Sequence, residues 1–187
     1  MTSLDPIFFN QSTLTIAEEL IGCTLIHNTP NGPVGGIICE TEACTQDDPA
    51  CHAYQGHKTK RNQIMFKSPG HIYIYFIYGM YHCLNFVTEP DGTGAAVLIR
   101  GIIPTIGNDI IQANRPKIKT PNQLCNGPSK LMLALNISAK LNGDYLFKAN
   151  TPLSVHKRTR SNPIITTHPR IGISQAKDYP WRFVLEA

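Results

Sequence analysis

The chain has 187 residues and a formal net charge of +4, with 42% apolar and 16% charged residues. This length and composition predict one domain over residues 1–187 with its own core, and they exclude a disordered or fibrous protein. The N-terminus lacks the pattern of a secretory signal, and no run of about 18 or more apolar residues occurs. We therefore expect a soluble, intracellular protein without a membrane anchor.

Charge is distributed unevenly along the chain. Residues 1–93 contain 4 Lys/Arg and 9 Asp/Glu, whereas residues 94–187 contain 13 and 4. No acidic residue occurs between Pro49 and Thr88, and within this stretch several cationic or histidine side chains follow one another closely: His57, Lys58, Lys60, Arg61, Lys67 and His71. Such segments suit a polyanion, because neutralised phosphates release counterions. A solvated basic face without a partner is the alternative.

The N-terminal half begins with a helix and continues as strands. Ser12 and Thr13 precede an apolar stripe that ends at Gly22, which is typical of a short capped helix. Four β-branched and aromatic segments follow, at 34–44, 71–78, 82–87 and 94–103. Because their connections are mostly too short for helical crossovers, we predict an antiparallel sheet with a hairpin turn at Gly79.

The C-terminal half contains a second predicted helix over Pro128–Leu141. Residues Asp144–Pro169 are predicted to be irregular, and RIGIS (170–174) and WRFVLEA (181–187) are predicted short strands. The fold class is therefore α+β: a curved antiparallel sheet with a protruding β-hairpin and surrounding short helices.

The six cysteines form no CxxC pair, and most lie within apolar runs: Cys23, Cys39, Cys44, Cys51, Cys83 and Cys125. This favours reduced core thiols over zinc ligands or disulfides, and a reducing compartment. The chain also lacks HExxH, GxSxG, a glycine-rich phosphate loop and a helix-hairpin-helix pattern. These absences argue against a metalloprotease, a serine hydrolase and a nucleotide-binding protein.

Two apolar strands carry charged residues of opposite sign. Glu42 ends the first strand, with Glu40 on the same face, and Arg100 lies within AAVLIRGIIP. A buried unpaired guanidinium would be prohibitively costly, so the strands are predicted to share an ion pair. A buried carboxylate has a raised pKa and suits a general base. A purely structural ion pair is the alternative.

Tyrosines crowd the predicted hairpin. Alternation places Tyr73 and Tyr75 on one face, while Tyr78 and Tyr81 flank the turn. Core packing explains such a pattern, but an aromatic tip beside a basic stretch also suits a wedge between stacked bases.

Several motifs in this order resemble the alkyladenine (3-methyladenine) DNA glycosylase family: ETEACTQDDPACH, KTKRNQIMF, PGHIYIYFIYGMYHCLN, AAVLIRGIIP, CNGPSK and RIGIS. The resemblance covers about Leu14 to Phe183. It implies a cofactor-independent, metal-free, monomeric enzyme that acts on double-stranded DNA containing damaged purines. Such enzymes flip an alkylated or deaminated purine out of the duplex and hydrolyse its bond to the sugar, without cleaving the strand.

The resemblance also assigns roles to residues. Glu42 matches the catalytic base, which holds the attacking water together with Arg100 and the main-chain carbonyl of Ile171. Tyr78 matches the residue that fills the gap left by the flipped nucleotide, with Met80 nearby. The matched base-pocket residues are Tyr75, His52, Cys44, Asn85 and Leu98, with Met65 and Phe66 near the pocket wall. Residues matched to DNA-backbone or structural roles are Arg61, Lys130, Arg170 and Gly172.

One position departs from the family pattern. Cys44 stands where the family usually has a tyrosine that stacks on the second face of the extruded base. Tyr54 is a candidate replacement for that ring. The segment Thr88–Thr93 also makes a loop two residues longer than usual. Two alternatives therefore stay open, a damage-recognition module without catalysis and an RNA-binding structural protein.

Overall fold

The computed structural model describes residues 1–159 and 162–186. Its main feature is an antiparallel sheet in which the described residues form eight strands: β1 (Thr24–Thr29), β2 (Gly32–Thr45), β3 (Ile72–Ile77), β4 (Tyr81–Val87), β5 (Ala95–Ile106), β6 (Leu153–His156), β7 (Ile165–His168) and β8 (Arg182–Leu185). The strand order is β3-β4-β5-β2-β1-β6, and β8 pairs with both β2 and β7.

Strand β2 organises this sheet. It pairs with β5 along most of its length, with β1 over residues 32–37, and with β8 at residues 40–42. The β2–β5 register shifts on either side of Glu40, as at a β-bulge. Bulges bend a strand and redirect its side chains. This irregularity lies beside the two acidic residues of β2, Glu40 and Glu42.

Among the described residues, three short α-helices cover the sheet: α1 (Thr13–Glu19), α2 (Asn108–Asn114) and α3 (Pro128–Ala134). The Ser12 side chain accepts a hydrogen bond from the Thr15 amide and so caps α1. Ile16 and Ala17 of α1 are completely buried against β2 and β5, and α3 packs on β4 and β5. Helices this short are not stable alone, so their apolar faces depend on the sheet.

A second, smaller apolar cluster lies beside the main core. Its buried members are Cys51, Ala53, Ile64, Met65, Phe66, Tyr73, Val87 and Ala96. It connects β3, β4 and β5 to the long segment between β2 and β3. Cys44 and Tyr75 are half-buried against it, so it supports one wall of the site described below.

The α+β class, the antiparallel sheet, the β3–β4 hairpin, the first helix and a strand near the C-terminus are confirmed. The helix predicted over 128–141 ends at Ala134, because Asn136 adopts a left-handed φ of 52°; a 3-10 turn follows at Ala139–Leu141. The region predicted to be irregular contains β6 and β7, whereas RIGIS is not a strand. Arg160, Ser161 and Ala187, within that predicted loop and last strand, lie outside the described residues.

The prediction that all six cysteines are reduced is wrong for two of them. Cys44 and Cys51 form a disulfide across a seven-residue separation. The spacing of the two cysteines did not indicate this pairing. Strand β2 ends between them, and only the turns that follow bring Cys51 back beside Cys44. The remaining four are free thiols: Cys23, Cys39, Cys83 and Cys125.

Within residues 1–159 and 162–186, every helix is too short or too polar to cross a bilayer.

Candidate active site

A pocket of about 740 Å³ lies where the β3–β4 hairpin, the end of β2, the start of α3 and residues 170–175 meet. The predicted residues that line it are Glu42, Cys44, His52, Met65, Tyr75, Tyr78, Asn85, Leu98, Arg100, Lys130, Arg170, Ile171 and Gly172. Residues from seven separate parts of the chain therefore share one cavity. Its size and mixed polar and apolar lining suit a small organic group.

Glu42 lies in this pocket with both carboxylate oxygens held. The Ile171 backbone amide donates a 2.8 Å hydrogen bond to Oε1, and the Arg100 guanidinium lies 3.2 Å from Oε2. The Glu42 side chain is 7% exposed. A carboxylate held through both oxygens is fixed in orientation, and Glu42 is one of the residues that line the pocket.

Arg100 is shared between two carboxylates. Its Nε donates a 3.0 Å hydrogen bond to Glu40 Oε1, while Nη1 faces Glu42. Arg182 from β8 donates to the same Glu40 oxygen, also at 3.0 Å. Two cations and two carboxylates thus alternate across β5, β2 and β8. Such a network fixes the orientation of the Arg100 guanidinium more firmly than one ion pair with a single carboxylate would.

Burial governs the acidity of Glu42. Its pKa is raised above the ordinary value, first by desolvation; Arg100 and the Ile171 amide act in the opposite direction, and the Glu40 charge adds a smaller increase. The carboxylate therefore accepts a proton more readily than an exposed glutamate. This is the property expected of a general base.

The segment that supplies the Ile171 amide is anchored by a buried ion pair. Arg170 donates to both oxygens of Asp48 and to the Ala43 carbonyl, and its guanidinium lies 5.3 Å from the Trp181 ring centre. Asp48 is completely buried. Because residue 170 is fixed, the neighbouring amide is held against Glu42.

Aromatic rings form another wall. Tyr75 lies edge-on to His52, with ring centres 4.7 Å apart, and 5.6 Å from Tyr73. His52 Nδ1 and the Tyr73 hydroxyl are 3.2 Å apart and hydrogen-bonded. Desolvation, and then the nearby Arg61, lower the pKa of His52, which favours its neutral form. Burial also raises the pKa of Tyr73 to about 12 and keeps its hydroxyl protonated.

The pocket floor contains Asn85 and Cys83 from β4. Asn85 is buried, and its Nδ2 donates to the carbonyls of Tyr73 and Cys83 at 3.1 and 3.2 Å. Both amide hydrogens are therefore used, and Asn85 lines the cavity together with Leu98.

The hairpin tip protrudes beside the pocket mouth. Tyr78 is 76% exposed, and its backbone has a φ of 52°, an uncommon conformation for a bulky residue. The Tyr78 hydroxyl lies close to Gly172: a Cβ atom added to this glycine would be 3.8 Å from it. Gly172 itself has a left-handed φ of 80°. Met80 is 66% exposed. Strained backbone of this kind is common at functional sites.

Comparison with known proteins identifies the family of this chain. Residues 7–187 match the model of a family described as methylpurine-DNA glycosylase. A relative from Rhodopseudomonas palustris is 47% identical over 96% of this chain and 82% of its own length, and one from Nitrosospira multiformis is 45% identical over 96% and 88%. A relative from Carboxydothermus hydrogenoformans is 44% identical over 96% and 93%. All three are named as candidate 3-methyladenine DNA glycosylases.

This chain belongs to the methylpurine-DNA glycosylase family. The α+β fold and the pocket therefore belong to a DNA glycosylase, and the resemblance inferred from the sequence is confirmed at the level of the family.

Three of the predicted residues do not line the pocket of this glycosylase. Arg61 donates to the Phe76 carbonyl at 2.8 Å and lies 5.9 Å from the Tyr75 ring centre, so it braces the hairpin. Met80 is at the outer end of the hairpin, and Phe66 packs under Gly94. Tyr54, considered as a replacement ring, also lies outside the lining.

Sequence patterns missed other parts of the glycosylase site. Asp48 lies in a polar turn, TQDDPA, where nothing indicates that one of two neighbouring aspartates is fully buried. Arg115 and Gln175 line the pocket from outside the quoted motifs, and Cys83 and Ser129 line it from within motifs that assigned them no role. The pairing of Glu40 with Arg182 depends on β2 and β8 being neighbours, which spacing along the chain does not reveal.

Proposed function

We propose that this glycosylase excises alkylated or deaminated purines from duplex DNA by hydrolysis, with Glu42 activating the water. The fixed, buried Glu42 carboxylate is the observation that carries the proposal. Both its oxygens are oriented, by Arg100 at 3.2 Å and by the Ile171 amide at 2.8 Å. The surrounding pocket, about 740 Å³ with tyrosine and histidine rings, has room for one purine and its sugar.

The chemistry follows from the charge of the transition state. Breaking the bond between base and sugar develops positive charge on the sugar, and the Glu42 anion stabilises it. The same carboxylate, with its raised pKa, takes a proton from water as the water attacks. Arg100 keeps the carboxylate oriented and lowers its pKa, which opposes the effect of burial. A cationic alkylated purine leaves without further help, whereas a neutral deaminated purine needs a proton from solvent.

The base reaches the pocket by rotating out of the duplex. Tyr78, exposed at the hairpin tip, enters the helix and occupies the space that the base leaves. The extruded base then contacts the Tyr75 and His52 rings, and Asn85 Oδ1 faces its edge. Damaged or mispaired bases cost less to unstack, which gives part of the selectivity.

Strand cleavage is not expected from this site. Lys130 is the only lysine among the described lining residues, and its Nζ donates to Asn126 Oδ1 at 2.8 Å. A Schiff base needs a free amine at the sugar carbon. The product is therefore an intact strand with an abasic site.

The decisive test is Glu42→Gln, assayed in single-turnover excision on duplexes containing 3-methyladenine or hypoxanthine. Release of the free base is expected to be lost while affinity for lesion DNA is kept, because the amide preserves the shape of the side chain but not its basicity. Glu18→Gln, an exposed carboxylate on α1, serves as the control and is expected to keep full activity. Full excision by Glu42→Gln would refute the assigned base. Wild-type protein that binds lesions without excising them would instead indicate a recognition module.

A further inference from the structure

Two cysteines form a disulfide beside the proposed base pocket. Cys44, at the end of β2, lines the pocket and is half-buried, while Cys51 is 7% exposed and lies in the apolar cluster behind the pocket wall. The residue after Cys51 is His52, whose ring lies against Tyr75. The disulfide therefore connects β2 directly to the segment that carries one side of the aromatic wall.

Few other contacts hold His52 in place. Its carbonyl accepts a 2.6 Å hydrogen bond from Asn62 Nδ2, and its ring meets the Tyr73 hydroxyl and the Tyr75 ring. His52 belongs to the pocket lining. Without the covalent link, the position of His52 depends on these contacts and on the turn at Cys51, whose amide donates to the Asp48 carbonyl at 2.9 Å.

Contacts that do not involve the sulfur atoms also hold this part of the fold. Asp48 is buried under Arg170, and the Ala50 amide donates to Asp48 Oδ1 at 2.9 Å. The pair of cysteines also encloses a short loop, which limits how much a cross-link changes the unfolded chain. Opening the disulfide should thus change the pocket wall and leave the sheet intact.

We propose that Cys44 and Cys51 are a site of reversible thiol oxidation that sets the geometry of the base pocket, so that base capture and excision depend on the redox state of the protein. The proposal rests on the proposed function, because it concerns the same pocket. The oxidised form holds His52 against Tyr75, and the reduced form releases that segment.

The chemistry balances with a peroxide as the oxidant. The Cys44 thiol, reached through the pocket, gives a sulfenic acid and one water with hydrogen peroxide; the Cys51 thiol then displaces a second water and forms the disulfide. A dithiol reverses the reaction by supplying two electrons and two protons, and is itself oxidised to a disulfide.

The test compares one preparation in two redox states. Wild-type protein is oxidised with hydrogen peroxide, which is then removed, or reduced with dithiothreitol, and mass spectrometry after thiol alkylation verifies the Cys44–Cys51 state. Single-turnover excision and affinity for a lesion duplex are measured in parallel. The reduced form is expected to excise about tenfold more slowly, since a small misplacement in a catalytic pocket costs up to about 100-fold.

Variants separate the effect of this pair from general oxidation. Cys51→Ala is expected to behave like the reduced wild type in both states. Cys39→Ser, which removes a half-buried thiol outside the pocket, is expected to keep the full redox response. Equal excision and equal affinity of the two wild-type forms would overturn the inference, as would an unchanged redox response in Cys51→Ala.

The two proposals fail in different ways. If neither redox form excises any lesion, the proposed hydrolysis is wrong, and affinity alone then decides on the redox site. A difference in affinity between the two forms supports the redox site, and equal affinities refute it.

Discussion

The backbone amide of Ile171 donates a 2.8 Å hydrogen bond to the carboxylate of Glu42, although the two residues are 129 positions apart in the sequence. This contact joins the loop after β7 to the end of β2. It fixes one oxygen of the proposed base, while Arg100 holds the other.

The pH dependence of excision should reflect the raised pKa of Glu42. Desolvation raises this pKa above 4.5, so the rate is expected to fall with decreasing pH earlier than an ordinary glutamate would give. A cationic 7-methylguanine duplex is the suitable substrate, because its leaving group needs no protonation. Arg100→Gln should move the acid limb to still higher pH, since Arg100 lowers the Glu42 pKa. Lys119→Gln, exposed and outside the pocket, should leave the profile unchanged.

Glu42 should cost the protein stability at neutral pH. A carboxyl group with a higher pKa in the folded than in the unfolded state favours folding only below its unfolded pKa, and this contribution is lost as pH rises through the folded pKa. Glu42→Gln should therefore have a larger free energy of unfolding than wild type above pH 4.5, with a difference that shrinks as the solution is acidified. Urea titrations at several pH values measure this. A less stable variant at neutral pH would contradict the dominance of desolvation.

The ion pair between Asp48 and Arg170 should support both fold and activity. Asp48→Ala leaves a guanidinium that is 4% exposed without its carboxylate, and removal of one partner of a buried pair typically costs about 3–5 kcal/mol. We expect a lower midpoint of urea unfolding and slower excision, because Ile171 loses its anchor. The neighbouring Asp47 is exposed, so Asp47→Ala is the matched control and should change neither quantity. Equal effects of the two changes would refute the role of the pair.

The hairpin tip should matter for duplex DNA but not for stability. Tyr78 is 76% exposed, so Tyr78→Ala should unfold at the same denaturant concentration as wild type. Its excision rate on duplex substrate should fall by a larger factor than its rate on a single strand, where no stack has to be opened. Ile7→Ala, 79% exposed and outside the pocket lining, provides a comparison of similar exposure. A uniform loss on both substrates would argue against intercalation.

Restoring a ring at residue 44 should strengthen base capture. Cys44→Tyr and Cys44→Ser both remove the disulfide, so their comparison isolates the aromatic group. Stacking on one base is worth about 1–3 kcal/mol, and the tyrosine variant should bind lesion duplexes more tightly by an amount in this range. Equal dissociation constants for the two variants would show that residue 44 does not reach the extruded base.

Local sequence features determined much of the fold. Alternating β-branched and aromatic residues define the cores of β3, β4 and β5, and Gly79 marks the hairpin turn, because these signals depend on near neighbours. Ser12 capped α1 as predicted. The 128–141 helix was overestimated, since a single left-handed residue, Asn136, ends it while the apolar spacing continues. Strand β1 was missed because its pairing with β2 and β6 is a tertiary property.

The ion pairs of Arg100 also separate what the sequence determines from what the tertiary structure decides. The sequence by itself determined that Arg100 needs an acidic partner, because a guanidinium in an apolar strand is too costly alone, and it left Glu40 and Glu42 as the candidates. Only the tertiary structure decided that Arg100 contacts both, that Arg182 joins them, and that the Ile171 amide completes the hold on Glu42. The disulfide between Cys44 and Cys51 was likewise decided by the turns after β2. Sequence fixes the chemical needs of each residue, whereas the partners depend on which distant segments the packed sheet brings within a few ångströms.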